Sequence, residues 1–203
     1  FICQNSWGSE FGEDGFFYIS YYDTNVGTHN VVYTGIENTD NYDHIYQSDL
    51  CGWVGQLGYN KETIYGANVY TAGSDENLVA ASFYATGKDS EYQLYLVKNF
   101  ENVESLSSMK PVASGKLSNA GYYTIPFEQE MAVEAGERYA VVLYISTPGA
   151  VHPLAVEYKA DESTENVVLD DGEGYVSPNG FEWEDVKNIE DSNICLKVFS
   201  KNQ

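Results

Sequence analysis

The sequence is poor in basic residues and in long apolar runs, and each shortage excludes a class of function. Ten Lys and Arg residues stand against 31 Asp and Glu residues, which gives a formal net charge of −21 at pH 7. Such a surface repels phosphate-rich polymers, so nucleic acid is not expected to be a ligand. No apolar run reaches the roughly 18 residues that a membrane-spanning helix needs, so no membrane span is predicted.

Cysteine, proline and methionine are also scarce. The three cysteines, Cys3, Cys51 and Cys195, are an odd number at wide spacing, so neither a disulfide framework nor a zinc site is expected. Five Pro and two Met contrast with 18 Tyr and 18 Gly. Because strands favour aromatic residues and tight turns favour Gly, this composition indicates a soluble domain made of short strands.

Short apolar and aromatic segments recur along the chain between Gly, Asn, Asp, Ser or Pro, and they predict strands. In the segment from Arg138 to Ser146 both faces of a two-residue period are largely apolar, as in a strand inside a sandwich. No comparably strong helical period occurs. The predicted fold is an all-β, jelly-roll-type β-sandwich. The predicted strands are 15–22, 30–35, 64–71, 78–86, 92–98, 122–127, 138–146, 154–159 and 194–200.

A domain boundary is predicted between Tyr33 and Asp43, where a polar, Tyr-containing loop begins. This places residues 1–35 in one segment and residues 36–203 in the β-sandwich.

The N-terminal segment carries a motif with chemical meaning. The run NSWG at residues 5–8 is followed by Phe-Gly at 11–12 and by an aromatic run at 15–19. This pattern resembles the asparagine motif of the papain family of cysteine peptidases, in which a Cys nucleophile needs a His base and the base needs a third group to orient it. The resemblance implies that Asn5 orients the histidine and that Trp7 shields their hydrogen bond from water. The alternative is a Gly-rich turn that precedes a strand.

This resemblance covers residues 1–35 and includes neither a nucleophile nor a base. In the family the nucleophile lies far upstream and the base shortly before the asparagine, whereas only four residues precede Asn5. Cys3 occupies a strand position of the motif, and His29, His44 and His152 all follow Asn5. The chain is therefore expected to be inactive by itself, as the C-terminal remnant of a papain-type peptidase.

A second resemblance extends over most of the remaining chain. Four segments carry it: NYDHIYQSD at 41–49, GANVYTA at 66–72, GERYAVV at 136–142 and NICLKVF at 193–199. They are similar to the lectin-like domain that follows the peptidase domain in cell-surface cysteine peptidases of Gram-positive anaerobes. The resemblance implies a secreted, surface-bound or wall-bound protein, an upstream papain-like domain as partner, a carbohydrate ligand and room for a calcium ion.

Sugar binding needs aromatic faces for the apolar side of a pyranose ring, with polar groups for its hydroxyls. Tyr42, Tyr46, Trp53 and Tyr59 lie in one Gly-rich region with such polar residues interleaved. They are the predicted ligand-binding residues. The alternative is that these rings fill the interface between the sandwich and the N-terminal segment.

Calcium is the predicted cofactor, since acidic residues are dense and Ca²⁺ takes six to eight oxygen ligands. Two acidic clusters are its candidate sites, and neither follows the EF-hand spacing: Asp40, Asn41 and Asp43, and Asp170, Asp171 and Glu173. The alternative is a solvated acidic surface that serves solubility.

Three functional hypotheses follow. The first is a non-catalytic accessory region that positions a surface peptidase against wall polysaccharide or glycoprotein. The second is one fragment of a processed peptidase, active only with the piece that bears Cys and His. The third is a free-standing lectin.

Overall fold

The computed structural model describes residues 1–28 and 30–203, and it divides the chain into two compact units, 1–39 and 40–203. The division follows Thr39, whereas the sequence placed it after residue 35. His29 lies outside the described residues.

Short strands dominate both units. The first unit contains strands β1 and β2, and the second contains β3 to β15, a 3₁₀ helix and the short helix α1. The strands are β1 Ile2–Gln4, β2 Phe16–Tyr18, β3 His44–Tyr46, β4 Gly55–Leu57, β5 Thr63–Thr71, β6 Glu76–Ala85, β7 Ser90–Val97, β8 Lys110–Leu117, β9 Gly121–Val133, β10 Arg138–Ser146, β11 Leu154–Glu157, β12 Gly174–Ser177, β13 Glu184–Asp185, β14 Asn193–Ile194 and β15 Leu196–Asn202. The 3₁₀ helix is Val103–Ser108, and α1 is Val186–Glu190.

The second unit is built from three antiparallel sheets. The largest has the order β13-β12-β5-β10-β7-β8, the next has the order β3-β15-β6-β9, and a small one has the order β14-β11-β4. The main core joins side chains from the first two sheets, including Leu143 of β10, Phe83 of β6 and Leu196 of β15, all essentially inaccessible to solvent. Burying each such side chain contributes about 1.5–3 kcal/mol. The predicted all-β sandwich is confirmed.

Strand β10 is apolar on both faces because each face is buried in a different cluster. Tyr139, Val141 and Leu143 belong to the main core, while Ala140 and Val142 on the opposite face belong to a second buried cluster. That second cluster also holds buried aromatic and aliphatic residues from the segment that includes the 3₁₀ helix, notably Phe100 and Leu106. The central strand of the six-stranded sheet is therefore covered on both sides.

Two predicted strands are wrong in whole or in part. Residues 30–35 form no strand, and Val31, Val32 and Tyr33 are more than three-quarters exposed. The strand predicted over 15–22 is limited to Phe16–Tyr18, because only those residues pair with β1. Local β propensity does not form a strand without a partner for its backbone.

Some strands were not predicted. Strand β8 contains Pro111 and Gly115, which weaken a strand pattern, but it lies at the edge of the six-stranded sheet, where Pro is tolerated.

Within the described part of the chain, no helix has the length and apolar composition needed to cross a membrane.

Candidate functional site

The papain-like motif forms a compact loop on the first unit. Strand β1 pairs antiparallel with β2, which sets Cys3 opposite Phe17. The loop between them is closed by the Asn5 amide, which donates to the Gly15 carbonyl at 2.8 Å. Gly12 has φ +62°, and a Cβ there would overlap the Phe16 carbonyl, so the loop requires glycine at this position.

The two residues predicted to serve catalysis lie in this loop. The Asn5 side-chain oxygen accepts a hydrogen bond from the Ser6 amide at 2.7 Å. Trp7 packs edge-to-face on Phe11 with ring centroids 5.0 Å apart, and 74% of Trp7 is exposed. The roles of Asn5 and Trp7 toward a histidine stay predictions.

Two of the four predicted sugar-binding residues, Tyr46 and Tyr59, pack against the main core of the second unit and form hydrogen bonds with carboxylates. The Tyr46 hydroxyl donates to the buried Glu76 carboxylate, and burial followed by this contact raises the pKa of Tyr46 to about 12. The Tyr59 hydroxyl donates to Glu184 at 2.7 Å, and its ring packs against the main core. Burial, followed by the contact with Glu184, raises the pKa of Tyr59. Both rings therefore serve packing in this structure.

The other two predicted residues pack against different neighbours. Tyr42 stacks on Phe199 of β15, with ring centroids 4.7 Å apart. Trp53 instead packs on Tyr84 of β6, at 5.7 Å. The four predicted residues do not form one site.

Trp53 belongs to a row of three aromatic rings, Trp53, Tyr84 and Tyr122, which we call the aromatic platform. Tyr84 and Tyr122 are direct cross-strand partners in β6 and β9, and their ring centroids lie 4.9 Å apart. Trp53 and Tyr122 are 38% and 45% exposed. The Tyr122 hydroxyl lies 2.5 Å from the Ser82 Oγ. Strand register brings these residues together, so sequence alone would not have found the platform.

The loop at residues 48–54 places Trp53 on this platform. Gly52 has φ +83°, and a Cβ there would lie 3.1 Å from the Tyr84 hydroxyl, so glycine permits the close approach. The Gly52 amide donates to the Glu157 Oε2 at 3.1 Å, and the Cys51 amide donates to the same oxygen. A buried carboxylate thus fixes the backbone just before the exposed ring.

An ion pair anchors the same loop. Lys197 Nζ lies 2.6 Å from Asp49 Oδ1 and donates to the Asp49 carbonyl at 3.1 Å. At a distance of 2.6 Å, the Lys197 ammonium compensates the charge of the buried Asp49 carboxylate. Burial raises the pKa of Asp49, while Lys197 acts in the opposite direction.

Beside this loop, oxygens converge on the Asn193 side-chain amide. Its Nδ2 lies 2.6 Å from the Ser48 carbonyl, 3.0 Å from the Val168 carbonyl, and 3.4 Å from both Glu157 Oε1 and Asp171 Oδ1. An amide nitrogen carries only two hydrogens, so it cannot satisfy four acceptors at once. Two carboxylates, two carbonyls and a carboxamide are the donor set that Ca²⁺ prefers.

Of the second predicted calcium cluster, only Asp171 lies at this point. Asp170 is exposed. Glu173 forms an ion pair with Arg138 and accepts a hydrogen bond from the Tyr175 hydroxyl at 3.0 Å. Its charge is therefore already compensated within the sheet.

The first predicted cluster lies on the segment leading into β3. Asp43 accepts a hydrogen bond from the Asn202 amide at 2.9 Å, while Asp40 is exposed and Asn41 is partly buried. Over residues 1–28 and 30–203 the structure contains no group of three or more His, Cys, Asp or Glu side chains arranged to hold a metal. Calcium binding stays a prediction.

The family model described as a lectin-like domain matches residues 45–200. The chain belongs to the lectin-like domain family. No curated protein matches the chain in a sequence search. The lectin-like family resemblance read from residues 41–200 is thereby confirmed.

Two solved structures are similar to the whole chain. One is the clostridial cysteine protease Cwp84 after propeptide cleavage, at 24% identity and a TM-score of 0.81, with 100% of this chain and 51% of that chain covered. The other contains the cysteine protease and lectin-like domains of Cwp84, a surface-layer-associated protein of Clostridium difficile, at 23% identity, a TM-score of 0.76 and coverage of 100% and 46%. This lectin-like chain shares their fold and spans about half their length.

Proposed function

We propose that this lectin-like domain is a non-catalytic, saccharide-binding accessory region of a secreted papain-type cysteine peptidase, and that it positions the peptidase against cell-wall polysaccharide or glycoprotein. The two similar solved structures, both of a cysteine protease, and the papain-like loop on the first unit support the link to a peptidase. The aromatic platform supports the saccharide ligand and is the observation that carries the proposal.

The platform has the features that a polysaccharide requires. Neighbouring rings are tilted by 53°, and their partly exposed apolar surfaces can receive successive pyranose units. Tyr84 and Tyr122 are held by a strand register, and Trp53 is held by a clamped loop, so little side-chain freedom is lost on binding. The excess of acidic residues favours a polymer without a high density of negative charge.

Removing the two exposed rings tests this proposal. The double variant W53A/Y122A is expected to lose at least about tenfold in affinity for purified wall polysaccharide, because each aromatic face contributes on the order of 1 kcal/mol. Affinity electrophoresis against a panel of bacterial wall polymers measures the loss. F181A is the matched control, since Phe181 is 84% exposed and is not part of the platform. Equal retention by F181A and W53A/Y122A would contradict the platform as the site.

We also propose that the oxygens around Asn193 hold a calcium ion, with Asp171 and Glu157 as the charged ligands. Because a ligand of the folded state alone stabilises by RT ln(1 + [L]/Kd), calcium at 100 times Kd would add about 2.7 kcal/mol. We expect millimolar calcium to raise Tm by several degrees relative to a chelator, at roughly 2–4 °C per kcal/mol for a domain of this size.

Two neighbouring aspartates provide the matched pair for this test. D171N is expected to abolish the calcium-dependent rise in Tm, because it removes a charged ligand. D170N is expected to keep it, because Asp170 is an exposed neighbour outside the oxygen cluster. A rise that survives in D171N, or the absence of any rise in the parent chain, would count against this site.

A further inference from the structure

A concave site lies beside the small sheet, at the end of helix α1. It is a cavity of about 220 Å³ between strands β4 and β11 and the residues that follow the helix. Its lining combines aromatic, amide, carboxylate, hydroxyl and aliphatic groups, from Tyr158, Gln56, Glu190, Ser192, Leu57 and Val156. We call it the Ser192 pocket.

A buried hydroxyl without a partner points to a missing ligand. Ser192 is only 1% exposed, and its Oγ has no hydrogen-bond partner among the described residues. The residue follows Asp191, which ends helix α1 in the left-handed conformation with φ 39°. Because burying a polar group without a partner is unfavourable, an unpartnered hydroxyl on a residue that lines a cavity is a candidate contact for a polar ligand.

The rest of the lining matches the two faces of a sugar ring. Tyr158 is 37% exposed, and its ring lies so close to Gly55 that a Cβ there would overlap it. The ring is thereby held against the backbone at Gly55, and the residue lines the pocket. Gln56 and Glu190 are exposed polar side chains on the same lining. The Gln56 amide can donate to and accept from hydroxyl groups, and the Glu190 carboxylate can accept from them.

Charge and size narrow the ligand class. Among the described residues, the pocket lining includes Glu190 and neither Lys nor Arg, and the chain carries a net charge of −21. Ligands with phosphate or carboxylate groups are therefore disfavoured. The volume is below the roughly 300 Å³ at which pockets for drug-sized molecules begin, so it suits one ring and not a chain of rings.

We propose that the Ser192 pocket binds a single non-acidic sugar unit, a neutral or amino hexose, stacked on Tyr158 and hydrogen-bonded to Ser192 and Gln56. This inference rests on the proposed saccharide function and adds a second site to it, separate in its residues from the aromatic platform.

Ligand-observed NMR and titration calorimetry on the 203-residue chain test it, with glucose, glucosamine, N-acetylglucosamine and glucuronate as probes. At least one of the first three is expected to bind, and glucuronate is expected to bind more weakly. S192A should weaken binding about tenfold, as expected for one hydrogen bond, while Tm stays the same or rises because an unpartnered hydroxyl is removed. Q56A should weaken binding as well. S118A and Q129A, exposed residues outside the pocket, are the matched controls.

The outcomes separate this inference from the proposed function. Binding of wall polymer through Trp53 without binding of any probe sugar would overturn the Ser192 pocket and leave the platform standing. Probe binding that is unchanged in both S192A and Q56A, or a preference for glucuronate, would overturn the pocket as well. Loss of probe binding in S192A with wall-polymer affinity unchanged would support two independent sites.

Discussion

Replacing Lys197 with alanine is expected to lower the free energy of unfolding by about 3–5 kcal/mol at neutral pH, because a buried carboxylate then loses its counter-charge. Lys197 Nζ lies 2.6 Å from Asp49 Oδ1, and the two side chains are 12% and 0% exposed. Urea denaturation of the parent chain and of K197A measures the difference. K116A is the matched control: Lys116 pairs with Glu91 at 3.7 Å on an exposed surface, where an ion pair contributes about 0–1 kcal/mol.

The loss of unfolding free energy in K197A is expected to depend on pH. Burial raises the pKa of Asp49, while Lys197 lowers it, so the pKa rises further in K197A. A carboxyl with a raised folded-state pKa binds more protons in the folded state, and its contribution to stability is lost as the pH rises through that pKa. The deficit of K197A is therefore expected to shrink between neutral pH and about pH 4, near the ordinary pKa of Asp. A deficit that is independent of pH, or no larger than that of K116A, would contradict this account of the ion pair.

The second large effect is expected at a buried amide that links the two main sheets. Asn68 of β5 donates through Nδ2 to the Ile194 carbonyl at 3.0 Å and to the Leu196 carbonyl at 2.9 Å. The Tyr70 hydroxyl donates to the same Leu196 carbonyl at 2.7 Å. The double variant N68L/Y70F removes the side-chain donors of both carbonyls, and we expect it to cost about 2–6 kcal/mol.

A double-mutant cycle makes this prediction specific. In N68L the Ile194 carbonyl loses its side-chain donor while the Leu196 carbonyl keeps Tyr70, and in Y70F the Leu196 carbonyl keeps Asn68. The two single costs should therefore sum to less than the cost of the double variant. Thermal and urea unfolding of the four proteins measure the coupling. N119L is the control, because Asn119 is exposed. Strictly additive single costs would show that the two donors do not share one acceptor in solution.

Much of the fold could be predicted from the sequence because its signals are local. The alternation in β10 indicated a strand buried on both faces, and Tyr139 and Ala140 indeed belong to different buried clusters. Strand β8 escaped prediction because Pro111 and Gly115 obscure its pattern, and its position at a sheet edge tolerates them. Residues 30–35 have strand propensity but no pairing partner, so they form no strand.

The candidate site was harder to predict from the sequence than the fold, because residues that are close in sequence need not be close in space. Tyr42, Tyr46 and Tyr59 share a short region with Trp53, yet each packs against a different neighbour. Trp53 instead meets Tyr84, which comes from a distant part of the chain.

The sequence by itself determined that this chain is acidic and all-β, since composition and strand period are properties of consecutive residues. Its resemblance to known families indicated the lectin-like domain and the papain-like motif. Only the tertiary structure decided which side chains lie together. The register of β6 against β9 aligned Tyr84 with Tyr122, and the convergence of three separate segments brought Ser48, Asp171 and Asn193 around one point. Register and convergence depend on contacts between residues far apart along the chain, so no local pattern encodes them.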